Sequence, residues 1–226
     1  MFPSPFQYSR PSLLAEALAV LQQFGDSARL LAGGHSLLPI VAAQIADPAA
    51  RNRGTIGGAL ANGDPTADWP AAMIAMDAQL DIVGAAGARR IAAERFFTGL
   101  FATALQPGDI LVAIRLPIRR NARVAYRKFR HPASGYAVVA VAVVLEFDAG
   151  RCRGGRLAVT GLTDRAMRLA GAESLLAGYS GQAATTDEIL NKAFVSITPL
   201  VDGFADAPFR LQLARTMLKR ALADTL

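Results

Sequence analysis

Two glycine pairs, each followed by an apolar run, constrain this chain more than any other feature. The first stands in LAGGHSLLPI, residues 31–40, and the second in RNRGTIGGALANGDPTAD, which begins at Arg51. Glycine reaches positive φ and lets another group approach the backbone closely. In LAGGHSLL a strand runs into a turn at Gly33-Gly34, so consecutive N–H groups point into one concavity, to which Ser36 adds a hydroxyl. Such a nest suits a phosphate, whose oxygens need donors rather than a bulky wall. Thr55-Ile56-Gly57-Gly58 offers a second nest of the same kind, and two facing nests can hold both phosphates of a dinucleotide. Neither stretch is a P-loop, because no Gly-Lys-Ser/Thr follows, and neither matches GxGxxG. Taken singly, each glycine pair is also what an ordinary turn looks like, and His35 alone reads as a loop or packing residue.

The 226 residues suffice for one large domain or two small ones with a real core. Hydrophobic residues make up 52 % of the chain, yet no charge-free run reaches the roughly 20 residues of a spanning helix. The opening MFPSPFQYSRP is broken by prolines and carries no basic n-region. The reading is a soluble, cytoplasmic protein with no membrane span. Cys152 is the single cysteine, which excludes a disulfide framework and an iron–sulfur ligand set. His35 and His131 stand far apart, so no metal ligand set is assigned, nor any catalytic residue. Redox chemistry here needs a bound organic cofactor. The net charge of +6 raises a nucleic-acid reading. The basic residues are dispersed, however, apart from Arg119-Arg120 and Arg127-Lys128-Phe129-Arg130-His131, and no recognition motif accompanies them. A solvated basic surface, or a docking face for an acidic partner, is the better reading.

Periodicity places a helix over 11–24, between Pro11 and Gly25, and a short buried strand at ARLLAG. LLPIVAAQIAD reads as helical after Pro39. The spacing predicts a helix over 68–78, with Asp68 as its N-cap and Pro70 in its first turn. Strand patterns follow: a hairpin around Gly84 to Gly87, and DILVAIRLP closed by Pro117. The polar joint IRRNAR, 118–123, divides the chain into domains at 1–118 and 122–226. After it come strands near 124–130, 136–147 and 155–161, then helices at about 165–178, 185–195 and 208–224. Strands and helices are partly segregated, so the fold class is α+β.

In order along the chain, LLAGGHSLLP, RNRGTIGGALANGDPTADWPAA, GDILVAIRLP and YRKFRHPASGYAVVAVAV resemble the FAD-binding middle subunit of the molybdenum hydroxylases, the carbon monoxide dehydrogenase and xanthine dehydrogenase group. The resemblance covers nearly the whole chain. It implies an FAD-binding domain of the vanillyl-alcohol-oxidase (PCMH) type, followed by a C-terminal α+β domain with a small antiparallel sheet. It further implies that Ala32, Gly33, Gly34, His35, Ser36 and Leu37 form one phosphate loop and Thr55, Ile56, Gly57, Gly58 and Ala59 the other. By the same resemblance Asp68 bonds the FAD, while Leu111 and Lys128 line the flavin, where a lysine stabilises an anionic ring. Asn62 and Asp64 shape the second loop. The partners implied are an iron–sulfur small subunit and a molybdenum-cofactor large subunit. The function implied is to carry electrons from the first to an external acceptor. One departure stands out: relatives carry a long segment between GGHSLLP and ADP..RNRGTIGG, whereas only IVAAQI separates Pro39 from Ala46 here. The shortened N-terminal subdomain leaves a second expectation open, a homologue that holds FAD poorly or not at all and serves as a structural or assembly piece.

Overall fold

The computed structural model describes residues 37–46 and 48–226. The helix expected over 11–24, the ARLLAG strand and the first glycine pair lie outside the described residues. Four helices open the described chain: α1 Leu37–Ala42, α2 Pro48–Arg53, α3 Ile56–Asn62 and α4 Asp68–Ala75. Helix α1 starts at Leu37 rather than after Pro39, because proline is tolerated in a first turn where its missing N–H has no carbonyl to meet. Strands β1 Gln79–Gly84 and β2 Gly87–Ala92 form the expected hairpin, with Gly84 opposite Gly87. A short helix, α5 Ala93–Phe96, leads into the small hairpin β3 Phe97–Gly99 and β4 Ala102–Thr103. Strand β5 Ile110–Arg115 then returns to β1, giving an antiparallel sheet ordered β2-β1-β5.

The second half is a four-stranded antiparallel sheet in chain order: β6 Ala122–Arg130, β7 Ala137–Asp148, β8 Arg151–Thr160 and β9 Met167–Arg168. Helices α6 Ala170–Glu173, α7 Ala183–Ala193 and α8 Ala207–Asp224 complete it. Helix α8 begins on Asp206, whose carboxylate accepts from the Phe209 N–H at 2.8 Å, with Pro208 in the first turn. The helix expected over 165–178 is a correction. Met167 and Arg168 instead pair with Val159 and Ala158, and only one helical turn follows. Here the pull of a sheet edge outweighs local propensity, and the Arg168 guanidinium is held by Glu173 and Glu94.

Strand β7 explains how the helices are layered. It is buried on both faces, and its residues alternate by size. Val139, Val141, Val143 and Leu145 face one core with Leu213, Met217 and Leu218 of α8. Ala137, Ala140, Ala142 and Val144 face the other core with Ala71, Met73 and Ile74 of α4. The alanine face lets α4 lie close on the sheet, and the valine face fills the wider space under α8. The position of α4 against this sheet sets the site described next.

Candidate functional site

The RNRGTIGG stretch folds as the end of α2 and the start of α3. Thr55 is the N-cap, extended at φ −116°, and its Oγ accepts from the Gly58 N–H at 3.0 Å. The N–H groups of Ile56 and Gly57 belong to the first turn, so no carbonyl of their own helix can take them. Among the described residues, a Cβ built on Gly57 meets nothing within 4 Å, which leaves space above this turn. Helix α3 ends on Gly63 at φ +63°, where a Cβ would press on Thr103 at 2.8 Å. The second nest of the sequence reading is therefore the N-terminal turn of a helix. Helix α3 packs against α4, β4 and β5. Leu111 stands on β5, half-buried opposite Ile82, with its side chain against the same core.

Asp68 corrects the sequence reading in one respect. It is the first residue of α4 rather than its cap; Ala67 holds the cap position and offers no side-chain bond. The Asp68 carboxylate turns inward, accepting from the Tyr126 hydroxyl and, at 2.8 Å, from Lys128 Nζ. Lys128 Nζ also donates to the Gln44 carbonyl at 3.0 Å. The two side chains are sealed from solvent, Lys128 at 0 % exposure and Asp68 at 2 %. Tyr126 and Lys128 lie two apart on β6, so they share the face turned toward α4. Arg127, between them, points the other way to Asp224.

Burial dominates the electrostatics. It pushes the Asp68 carboxyl above its ordinary range, although the Lys128 ammonium and two hydrogen bonds pull it back. It lowers the Lys128 ammonium against the pull of Asp68, and it raises the Tyr126 phenol well above its usual value, with the Asp68 charge adding to the rise. The supports around this group are firm. Asp64 Oδ1 accepts from Thr66 N–H at 2.8 Å and Thr66 Oγ at 2.6 Å, which shapes the turn between α3 and α4. Thr160 Oγ donates to the Pro65 and Ala67 carbonyls, fastening that turn to the end of β8. Arg51 holds the Ile45 and Ala46 carbonyls, steadying the segment that brings Gln44 over Lys128.

The structure thus gathers Asp68 and Lys128 into one buried contact and sets Thr55–Ala59 on a neighbouring helix turn with space above it. Ala32, Gly33, Gly34, His35 and Ser36 lie outside the described residues; Leu37 is the buried first residue of α1. Sequence reasoning missed Tyr126 and Gln44. The i, i+2 spacing of Tyr126 and Lys128 in a strand pattern was the available signal for the first, and a backbone carbonyl such as that of Gln44 leaves none.

Comparison with known proteins agrees on both halves. The family described as FAD binding domain in molybdopterin dehydrogenase matches residues 38–119. The family described as CO dehydrogenase flavoprotein C-terminal domain matches residues 124–225. The carbon monoxide dehydrogenase medium chain of Afipia carboxidovorans is 31 % identical, over 98 % of this chain and 97 % of its own. That of Hydrogenophaga pseudoflava is 30 % identical over the same shares. Both alignments run over 279 positions, more than the 226 residues available here, so several tens of the relatives' residues have no counterpart in this chain. Among solved structures, reconstituted CO dehydrogenase from Oligotropha carboxidovorans superposes with a TM-score of 0.79 at 35 % identity, over 83 % of this chain and 67 % of that one. With both domain families matched in order and the medium chains aligned from end to end, the chain belongs to the FAD-binding medium-subunit family of the molybdenum hydroxylases, a family of oxidoreductase flavoproteins.

Proposed function

We propose that this protein is the electron-transfer subunit of a cytoplasmic molybdenum hydroxylase complex, with an iron–sulfur small subunit and a molybdenum-cofactor large subunit as its partners. The single observation that carries the reading is the half-buried first turn of α3, with its N–H groups of Ile56 and Gly57 and, among the described residues, free space over Gly57. That donor set fits a phosphate oxygen, so these residues fit the pyrophosphate of FAD. Bound FAD supplies the redox centre through which electrons leave the iron–sulfur partner for an external acceptor.

The chain's own residues do the rest. Thr55 fixes the turn that presents the donors, while Gly57 keeps the approach clear. Leu111 supplies apolar surface on the neighbouring strand. Asp68 and Lys128 form a buried, hydrogen-bonded pair that holds β6 against α4 and would stand behind the bound FAD. Ala32 to Leu37 would provide the first phosphate loop. The joint at 118–123 divides a 1–118 flavin domain from a 122–226 domain in sequence, while β7 belongs to both cores. The only cysteine, Cys152, is buried and unpaired, which suits a reducing compartment.

The several tens of residues absent relative to the medium chains favour a second reading, a scaffold subunit that holds FAD weakly. One experiment separates the two. The purified protein is mixed with FAD, desalted, and its absorbance recorded from 300 to 550 nm, with Gly57→Trp as the control. The Gly57 position has room for a Cβ, so the variant keeps its far-ultraviolet circular dichroism while filling the approach. Flavin bands that survive desalting in the parent and vanish in Gly57→Trp establish the electron-transfer reading. A folded, colourless parent replaces it with the scaffold.

A further inference from the structure

The β7–β8 ladder ends where Ala140 pairs with Thr160, and beyond that point one side chain bridges the two strands. Arg210, in the first turn of α8, is buried, with its side chain 2 % exposed. Its Nη1 donates to the Val138 and Gly161 carbonyls, both at 2.7 Å. Its Nη2 donates to Asp202 Oδ2 at 2.6 Å. That carboxylate is itself fixed, because Asp202 Oδ1 accepts from the Phe204 and Ala205 N–H groups at 3.0 and 2.9 Å. Gly161 can sit against β7 because it stands at φ +76°, where a Cβ would meet the Val138 carbonyl oxygen at 2.6 Å. A buried guanidinium costs desolvation, and an apolar side chain of similar volume packs there as well or better. What the planar fork adds is direction, since it fixes two carbonyls and a carboxylate relative to one another.

The same strand ends hold the turn that leads to Asp68. The Gly161 N–H donates to the Pro65 carbonyl at 2.7 Å, and the Ala137 N–H to the Thr66 carbonyl at 3.2 Å. Thr160 Oγ donates to the Pro65 and Ala67 carbonyls at 2.6 and 3.0 Å. Each carbonyl from Pro65 to Ala67 is thus held by a residue that Arg210 grips or by its neighbour in the chain. We propose that Arg210 is a positioning residue for the flavin site. It sets the spacing of the two strand ends, these set the turn at 65–67, and the turn aims Asp68 at Tyr126 and Lys128. The proposal rests on the flavin reading for what the turn serves. Arg210 acts through contiguous hydrogen bonds, and Asp202 keeps its fork in place.

Amide hydrogen exchange of the full chain without FAD, followed residue by residue by NMR, separates positioning from simple bracing of the fold. Arg210→Met removes the fork, while Leu218→Ala truncates a buried apolar side chain further along α8 and leaves the fork intact. In Arg210→Met the Ala67, Ala137 and Gly161 amides are expected to exchange at least about tenfold faster relative to the slowest amides of β7, the effect of losing about one hydrogen bond. Leu218→Ala speeds all of these amides by one common factor. Should Arg210→Met not fold, Asp202→Asn keeps the acceptor for Phe204 and Ala205 but removes the charge facing the guanidinium, and the same three amides loosen selectively. FAD titration, read by flavin fluorescence, gives the second measurement. The dissociation constant of the fork variant that folds rises at least about tenfold, or about 1.4 kcal/mol, while that of Leu218→Ala stays at the parent value. Uniform acceleration in the fork variant makes Arg210 a brace and overturns the proposal. Selective loosening with unchanged FAD affinity overturns it as well. A parent that takes up no FAD overturns the flavin reading instead, and the exchange pattern then decides by itself whether Arg210 sets the turn.

Discussion

At the scale of single residues, the Asp68–Lys128 contact is where energetics and function meet. Its partners lie 58 and 60 positions from Asp68 along the chain, and no bulk water reaches the pair. Breaking a buried ion pair from one side strands a charge, which destabilises by about 3–5 kcal/mol. Asp68→Asn and Lys128→Met are each expected to lose that much in urea denaturation at neutral pH. The double variant recovers most of it, since removing both charges avoids the desolvation. The pH dependence follows from the directions of the two shifts. The Asp68 carboxyl is raised, so its stability contribution is complete below the ordinary 3.8 and is lost as pH climbs through the raised value. The Lys128 ammonium is lowered, so its contribution is complete above the ordinary 10.5 and is lost as pH falls through the lowered value. The parent is therefore least favoured against the double variant in the neutral window between them, and the gap closes toward both extremes. Unfolding curves whose difference is flat from acid to alkaline pH sink this account. Asp68 itself was legible as the start of a helix, through the apolar run and Pro70 that follow it. Its role was not, because a carboxylate at a helix start looks the same whether it caps its own backbone or reaches a strand 60 residues away.

At the scale of elements, α3 is a short helix held at both ends by particular residues. Thr55 satisfies one first-turn donor and Gly63 turns the chain at positive φ. Replacing an N-cap threonine by alanine costs about 1 kcal/mol, and serine restores the bond. Thr55→Ala is thus expected to lower stability by that amount and to weaken FAD retention on desalting, with Thr55→Ser close to the parent in both. A Thr55→Ala protein with unchanged urea midpoint removes the capping argument. The glycine pair TIGG was recognisable from sequence as a donor-bearing turn, because glycine and threonine act locally. That it is a helix end rather than a loop depends on α4 and β5 packing against it, which no local pattern carries. The 165–178 segment shows the same limit in reverse. Its residues favour a helix, yet β8 presents an open edge to Met167 and Arg168, and the strand forms instead.

At the scale of the whole molecule, β7 is shared between two cores, so α4 and α8 are coupled through one strand. Described residues on both sides are expected to unfold together. Trp69, the single tryptophan, lies on α4 and reports that side by fluorescence, while far-ultraviolet circular dichroism reports all helices. Coincident urea transitions by the two probes are the expected outcome, and separated midpoints count against a shared core. Ala142→Leu forces a larger side chain under α4 and is expected to cost about 1–3 kcal/mol in both probes at once.

What the sequence by itself determined is what depends on neighbours in the chain. It set the two hydrophobic periods that make this an α+β protein, the tight hairpin at Gly84 and Gly87, the proline in the first turn of α4, and the glycine pairs that place the chain in its family. What only the tertiary structure decided is what depends on groups brought together from distant positions. These are the burial of Asp68 against Tyr126 and Lys128, the seat of Gln44 over that pair, and the alanine face that admits α4. The physical reason is that periodicity and capping act within a few residues. Desolvation, packing and strand pairing depend on which surfaces meet, and that is settled by the whole core at once.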